Sequence, residues 1–262
     1  MLSEFGSPWL HLSSCGSTND EAQKLGKAGT PHGTVISSDA QTSGRGRQGR
    51  SWFSPPGQNL YLSLLLRPKL LPRDIPLLTL CAGLAVREAA MELLTAHGMT
   101  EPPLLLKWPN DLLARTPDGL FKVAGILTEM TLAGSRCDFV IVGIGVNVAG
   151  LDFPTDIRAT SLRKLLADRT RPLSVHDFAV QLLGKFEPLY QRFVRDGSGW
   201  VTRAFAACAE LTAPGRTITI YTASGLVCGE SLGIDPDGAL LIRKDDGFVE
   251  RVLSGDVATC TT

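Results

Sequence analysis

The strongest hydrophobic period in the chain lies at Ile75–His97, where Leu78, Ala82, Ala85, Ala89 and Leu93 recur three or four positions apart. One apolar stripe of this kind predicts a helix packed on a sheet. Strand patterns surround it. Asn59–Leu66 alternates, with Leu60, Leu62, Leu64 and Leu66 on one face, and predicts a strand with one buried side. Thr34–Ser38 and Leu104–Leu106 read as short strands. Lys122–Thr131 and Cys137–Val148 read as a hairpin joined by Ala133-Gly134-Ser135. A helix is expected to start at Ser17-Thr18-Asn19-Asp20-Glu21, where a hydroxyl precedes an acid by three residues, and to stop at Gly26 and Gly29. Val175–Val194 and Trp200–Cys208 look helical, with a break near Pro188.

From about Thr212 the texture changes to short β-rich runs separated by Pro214-Gly215, Asp235-Pro236-Asp237-Gly238 and Asp245-Asp246-Gly247. Strands at this spacing suggest a small β-barrel of about fifty residues. The expected organisation is an α/β domain over 1–211, a mixed sheet flanked by helices, followed by a β module over 212–262.

Composition narrows the function. Apolar residues are 44% and charged residues 20%, an ordinary globular balance for 262 residues. Lys+Arg and Asp+Glu are 26 each, so there is none of the basic excess of a protein that coats nucleic acid. The six cysteines are scattered singly without a C-x-x-C, which suggests reduced and mostly buried thiols. The four histidines lie far apart and read as caps or surface residues. No signal peptide is visible, and the most apolar run, Leu77–Val86, is too short to span a bilayer. The expectation is a soluble, cytoplasmic protein with no membrane partner.

Charge is concentrated in one place: Gly44-Arg45-Gly46-Arg47-Gln48-Gly49-Arg50, followed by Trp52. Glycines let successive N–H groups point at one anion, and arginine forks fit phosphate or carboxylate. Alone, the loop is as well explained by a flexible basic surface loop or an RGG-like nucleic-acid segment as by a site for an anionic ligand. Four further segments each have a structural and a functional reading. Ser17-Thr18-Asn19 is a helix cap or a polar contact row. Lys107-Trp108-Pro109-Asn110-Asp111 is a buried aromatic at a turn or a ligand site at a strand end. Lys122 snorkels or faces inward to an anion. Gly143-Ile144-Gly145-Val146-Asn147 breaks a strand with two glycines, a mark of close approach by backbone or ligand.

Taken in order, these segments resemble the biotin protein ligase family: STN at 17–19, Gln41, GRGRQGR at 44–50 with Trp52, NLYLSL at 59–64, KWPND at 107–111, KVAGIL at 122–127 and GIGVNV at 143–148. The resemblance covers nearly the whole chain. It implies a class II synthetase-like ligase domain followed by an SH3-like β-barrel. It implies ATP and biotin as substrates, Mg²⁺ as cofactor, and a biotin carboxyl carrier protein domain as acceptor. Biotin's carboxylate attacks the α-phosphate to give biotinyl-5′-AMP, and a carrier lysine then takes the biotinyl group.

The resemblance also assigns residues. Lys122, Arg47 and Lys107 are the catalytic cations. Ser17, Thr18, Asn19, Gln41, Gly44, Arg45, Gly46, Arg47, Lys122 and Gly125 fall to biotin. Arg47, Arg50, Trp52, Lys107, Asn110, Asp111, Lys122 and Asn147 fall to ATP. The metal ligands stay open. The arginine loop is expected to be mobile without ligand and ordered with biotinyl-AMP. Phe121 stands before Lys122 where relatives often place a basic residue. With sixteen residues before Ser17, the expected type is a ligase without a DNA-binding domain; a weak homodimer is left open. The rival readings are a lipoate–protein ligase and a nucleic-acid-binding protein.

Overall fold

The strand-like segments form one sheet of seven strands and the turn-rich C-terminal stretch a second of five; the computed structural model describes residues 4–258. The first sheet holds β1 (Trp9–Leu12), β2 (Thr34–Ser38), β3 (Leu60–Leu66), β4 (Leu104–Lys107), β5 (Asp111–Thr116), β6 (Gly119–Ala133) and β7 (Arg136–Val146). Its order is β1-β2-β3-β7-β6-β5-β4, with β1 and β2 parallel and the other neighbours antiparallel. Helix α1 (Thr18–Lys27) covers one face near β2, β3 and β7. The other face carries α2 (Leu77–Ala96), with α4 (Val175–Asp196) and α5 (Gly199–Cys208) packed against it; α3 (Leu162–Leu165) is a single turn. The second sheet, the SH3-like module, is antiparallel: β8 (Thr217–Thr222), β9 (Gly225–Ile234), β10 (Leu240–Arg243), β11 (Val249–Val252) and β12 (Asp256–Val257), in the order β11-β10-β9-β8-β12.

Packing corrects several expectations. Strand β3 is buried on both sides. Leu60, Leu62, Leu64 and Leu66 enter the large core, while Tyr61, Ser63 and Leu65 lie under the opposite layer, where α1 sits. The α2 stripe is likewise wider than its period suggests, because the sheet covers one side and α4 and α5 another. Helix α4 runs unbroken through Pro188. Phe178, Leu182, Phe186, Tyr190 and Phe193 are buried on both sides of the proline, and this continuous apolar face holds the two halves together. Gly26 does not stop α1. It lies inside the helix, where a Cβ would come 2.5 Å from the Phe139 ring. The stop is Gly29, at φ +85° just past the end.

Strands β1 and β5 were not anticipated. Of the five described cysteines only Cys81 is buried, and none is paired; Cys260 lies outside the described residues. No helix among the described residues is long and apolar enough to cross a membrane.

Candidate active site

Lys122 owes its direction to a β-bulge. The β5–β6 register pairs Leu112 with Ala124 and Leu113 with Lys122, leaving Val123 as the extra residue. In a regular strand Lys122 and Gly125 would point to opposite faces. The bulge brings them to one side and sends Val123 and Ala124 together into the core. A Cβ on Gly125 would lie 3.2 Å from Lys122 Nζ. The ammonium is 2.7 Å from Asp111 Oδ1 and 5.3 Å from the centre of the Trp52 ring. Asp111 Oδ1 is buried without a hydrogen bond, so the Lys122 charge compensates it. Asn147 braces the bulge: its amide donates to the Lys122 carbonyl (3.3 Å) and to the Thr160 carbonyl (3.1 Å).

The glycine–arginine loop is a small hairpin laid across the sheet. Gly46 N–H donates to Arg50 O at 2.6 Å, Trp52 N–H donates to Gly44 O at 2.9 Å, and the tip turns through Gln48 at φ 56°. A left-handed glutamine costs about 1–2 kcal/mol, which the ionic anchors of the loop offset. Arg45 reaches Asp20 (2.7 Å) and Glu129 (3.0 Å). Trp52 lies flat on the strand glycines. A Cβ on Gly145 would sit 2.6 Å from its indole, and a Cβ on Gly143 2.2 Å from Asn19 Oδ1. These glycines do not break β7; they clear space above it. Trp52 Nε1 is buried and finds no acceptor among the described residues.

A row of neutral polar groups forms the other end. Glu129 accepts from Asn19 Nδ2 at 2.6 Å, and Asn19 Oδ1 lies 2.6 Å from Ser63 Oγ. Ser63 Oγ is 2.8 Å from Thr18 Oγ1, and Gln41 Oε1 accepts from Thr18 N–H at 2.9 Å. Gln41 Nε2 donates to Ser54 Oγ at 2.9 Å. Ser17 stands at the helix start, yet its hydroxyl makes no cap hydrogen bond, which leaves it to face the cleft. Nearby Tyr61 donates to Pro55 O at 2.9 Å, and burial pushes its phenol up to about 12.

The cationic end involves the second sheet. Arg47 donates to Asn110 Oδ1 (2.8 Å), Ser254 Oγ (2.5 Å) and Gly255 O (3.3 Å). Burial pulls its guanidinium below the usual arginine value, opposed by Asp111 and Asp256. Asp256 accepts from Lys107 Nζ at 2.6 Å and Arg50 Nη1 at 2.7 Å. Burial works to raise the Asp256 carboxyl, but the hydrogen bonds from Lys107 and Arg50 outweigh it and hold it below the usual carboxylate range. Trp108 is buried and donates to Gly238 O at 2.9 Å, a second tie between the sheets.

These groups surround one cleft of about 840 Å³, counted out to its open mouth. All the site residues expected from the sequence line it except Gly44, Lys107 and Asn147. Gly44 sits one layer behind, where a Cβ would clash with the Trp52 carbonyl. Lys107 reaches the cleft only through Asp256, and Asn147 spends its amide on backbone. Sequence reasoning missed Gln48, Tyr61, Gly255 and Asp256 in the lining, and Glu129 and Ser63 behind it. Glu129 and Ser63 carried a readable signal: a polar side chain in an apolar strand wants a partner. Asp256 carried none, because the module that bears it contacts the cleft only in the folded chain.

A cleft with cations at one end and neutral hydrogen-bonding groups at the other belongs to an enzyme that joins an anionic small molecule to a phosphate-bearing one. Comparison with known proteins agrees. Residues 13–147 match the biotin/lipoate A/B protein ligase family, and residues 215–258 match the biotin protein ligase C-terminal domain. The bifunctional ligase/repressor BirA of Bacillus subtilis is 34% identical over 92% of this chain and 70% of its own length. The biotin–[acetyl-CoA-carboxylase] ligase of Paracoccus denitrificans is 33% identical over 88% and 92%. The structure of the Aquifex aeolicus biotin protein ligase in complex with biotin and ATP superposes with a TM-score of 0.77 at 29% identity, covering 95% of this chain and 97% of that one. The chain belongs to the biotin/lipoate A/B protein ligase family, and within it to the biotin protein ligases.

Proposed function

We propose that this cleft couples biotin to ATP and then to the lysine of a biotin carboxyl carrier domain. The observation that carries the reading is the convergence of Arg47 and Lys122 on a cleft whose far end is the neutral Ser17–Thr18–Asn19–Gln41 row. In the first step a carboxylate oxygen of biotin attacks the α-phosphorus and pyrophosphate leaves. In the second the carrier amine attacks the acyl carbon, an amide forms and AMP leaves. Neither step needs a protein nucleophile. Orientation of the two reactants can supply roughly 7–11 kcal/mol of the barrier.

The roles follow from position. Ser17, Thr18, Asn19 and Gln41 hold the ureido end of biotin, with Gly46 and Arg45 folded above. Lys122 contacts both the carboxylate and the α-phosphate, releasing Asp111 as it does so. Arg47, Arg50 and Lys107 take phosphate charge, and Asn110 positions it. Trp52 stacks on adenine, and its partnerless Nε1 offers the ligand a donor. We assign Asn147 to holding the Lys122 backbone. Mg²⁺ stabilises phosphate charge when it arrives with ATP. No group of three or more metal-binding side chains exists among the described residues. Asp111, which lines the cleft beside Lys122, is the carboxylate that would help hold the ion alongside nucleotide oxygens.

We divide the chain into a ligase unit over 1–211 and the module over 212–262. The acceptor reading calls for no nucleic acid: Arg45, Arg47 and Arg50 each pair with groups of the chain around the cleft. Unpaired cysteines suit the cytoplasm, where ATP and carrier proteins also meet. The match of residues 215–258 to the biotin-type module favours biotin over lipoate. Acid-dependent ATP–pyrophosphate exchange tests this. Biotin should support exchange and lipoate should not; the opposite result overturns the reading.

A further inference from the structure

The phosphate-end cations are already engaged by an anion of the chain itself. Asp256 accepts from Lys107 at 2.6 Å and from Arg50 at 2.7 Å, while its neighbours Ser254 and Gly255 bind the Arg47 guanidinium. Three cations that the seven-stranded domain would contribute to phosphate are thus met by three consecutive residues of the C-terminal module, Ser254 and Gly255 in the turn before β12 and Asp256 at its start. Asp256 lines the cleft, so its carboxylate stands where it must meet incoming phosphate. Its side chain is 28% exposed and that of Lys107 13%, so the carboxylate is the partner nearer to solvent.

We propose that Asp256 is the internal counter-anion of the triphosphate site: phosphate displaces it from Arg50 and Lys107, and it returns as pyrophosphate leaves. The idea rests on reading the cleft as a biotin and ATP site. Clustered cations repel one another when empty, and Asp256 removes that cost by keeping them together. It also competes with the polyanion for the same donors. Nucleotide affinity is lowered, and pyrophosphate release is eased because the carboxylate takes over its contacts. The neutral end of the cleft is untouched by this exchange, so biotin affinity is independent of Asp256.

Asp256→Asn keeps the size and removes the charge. Its folding is checked by thermal melting, and Asp256→Ser replaces it in case the amide variant does not fold. ATP, pyrophosphate and biotin binding are each measured by calorimetry on the full chain, with pyrophosphate inhibition of the forward reaction alongside. The expected result is ATP and pyrophosphate binding tightened about tenfold, the scale of one partly screened charge pair. Biotin affinity stays unchanged, and pyrophosphate inhibits at about a tenth of the wild-type concentration. Unchanged or weakened binding of ATP and pyrophosphate in the variant overturns the proposal and makes Asp256 a positioning residue for Arg50 and Lys107. A gain shared equally by biotin also overturns it. Failure of the underlying site reading is a separate result: the wild-type chain would then bind neither ATP nor biotin.

Discussion

The two ends of the cleft are built by different means. At the neutral end, Thr18, Asn19, Ser63 and Gln41 are linked to one another and to Glu129 by hydrogen bonds between α1, β3 and β6. Most of these groups are buried on rigid elements, so the end is set before any ligand arrives. At the cationic end, Arg47 and Arg50 ride on a hairpin and Lys107 on a strand terminus, and their partners come from a second sheet. A neutral recognition row can be fixed permanently because its hydrogen bonds cost little to keep. At the cationic end the clustered charges are met by Asp111 and Asp256, the anions that the proposed exchange would hand over to substrate.

Breaking the cationic end should have the largest effect. Lys122→Ala removes the cation that pairs with the Asp111 carboxylate and stands over the Trp52 ring. Biotin-dependent ATP–pyrophosphate exchange should fall by about 10²–10³-fold, the loss typical of a group that stabilises transition-state charge. Full activity in the variant would remove Lys122 from the mechanism.

Next comes the neutral end. Gly143→Ala places a Cβ 2.2 Å from Asn19 Oδ1. Overpacking of this kind costs about 1–3 kcal/mol, and the displaced Asn19 should weaken biotin binding more than ATP binding. Equal weakening of both ligands, measured by calorimetry, would show that the two ends are not separable.

A smaller effect is expected from the loop. Its anchors are polar and ionic apart from Trp52, so biotin with ATP should slow proteolytic cutting at Arg45–Arg50 severalfold by replacing water at those contacts. Identical cutting with and without ligand would mean the hairpin is already as closed as it becomes.

The smallest concerns acid. The Asp256 carboxyl is held low in the folded chain, so its tie to Arg50 and Lys107 stabilises fully above the unfolded aspartate value of about 3.9. That stabilisation fades as pH falls through the lower folded value. Wild type should therefore lose its margin over Asp256→Asn in melting temperature only in the acid range; a constant margin would argue that the charge is not involved.

Much of this was legible early. The extent of β2, the hairpin of β6 and β7 and the helices α4 and α5 follow from local period and turn chemistry. The site motifs were readable because each departs from its background: glycines inside a strand, a lysine in an apolar run, arginines alternating with glycine. What escaped were contacts between parts distant in the chain. Asn147 stands in a conspicuous motif, yet only its backbone partners show that it braces the bulge. Ser17 looks like a cap and does not cap. Pro188 looks like a break and is carried by the packing around it.

By itself, the sequence determined the order of most elements, the change from an α/β domain to a β module, and the chemical kinds of side chain the cleft would need. These depend on neighbours a few residues apart. The tertiary structure alone decided that Lys122 and Gly125 share a face, that Lys107 stands behind Asp256, and that the C-terminal module reaches the cleft with Gly255 and Asp256. Those facts turn on a single bulge and on side chains some 150 positions apart, Lys107 and Asp256 being 149. Local pattern carries no information about such pairs, because what brings them together is the burial of surfaces that exist only once both sheets have formed.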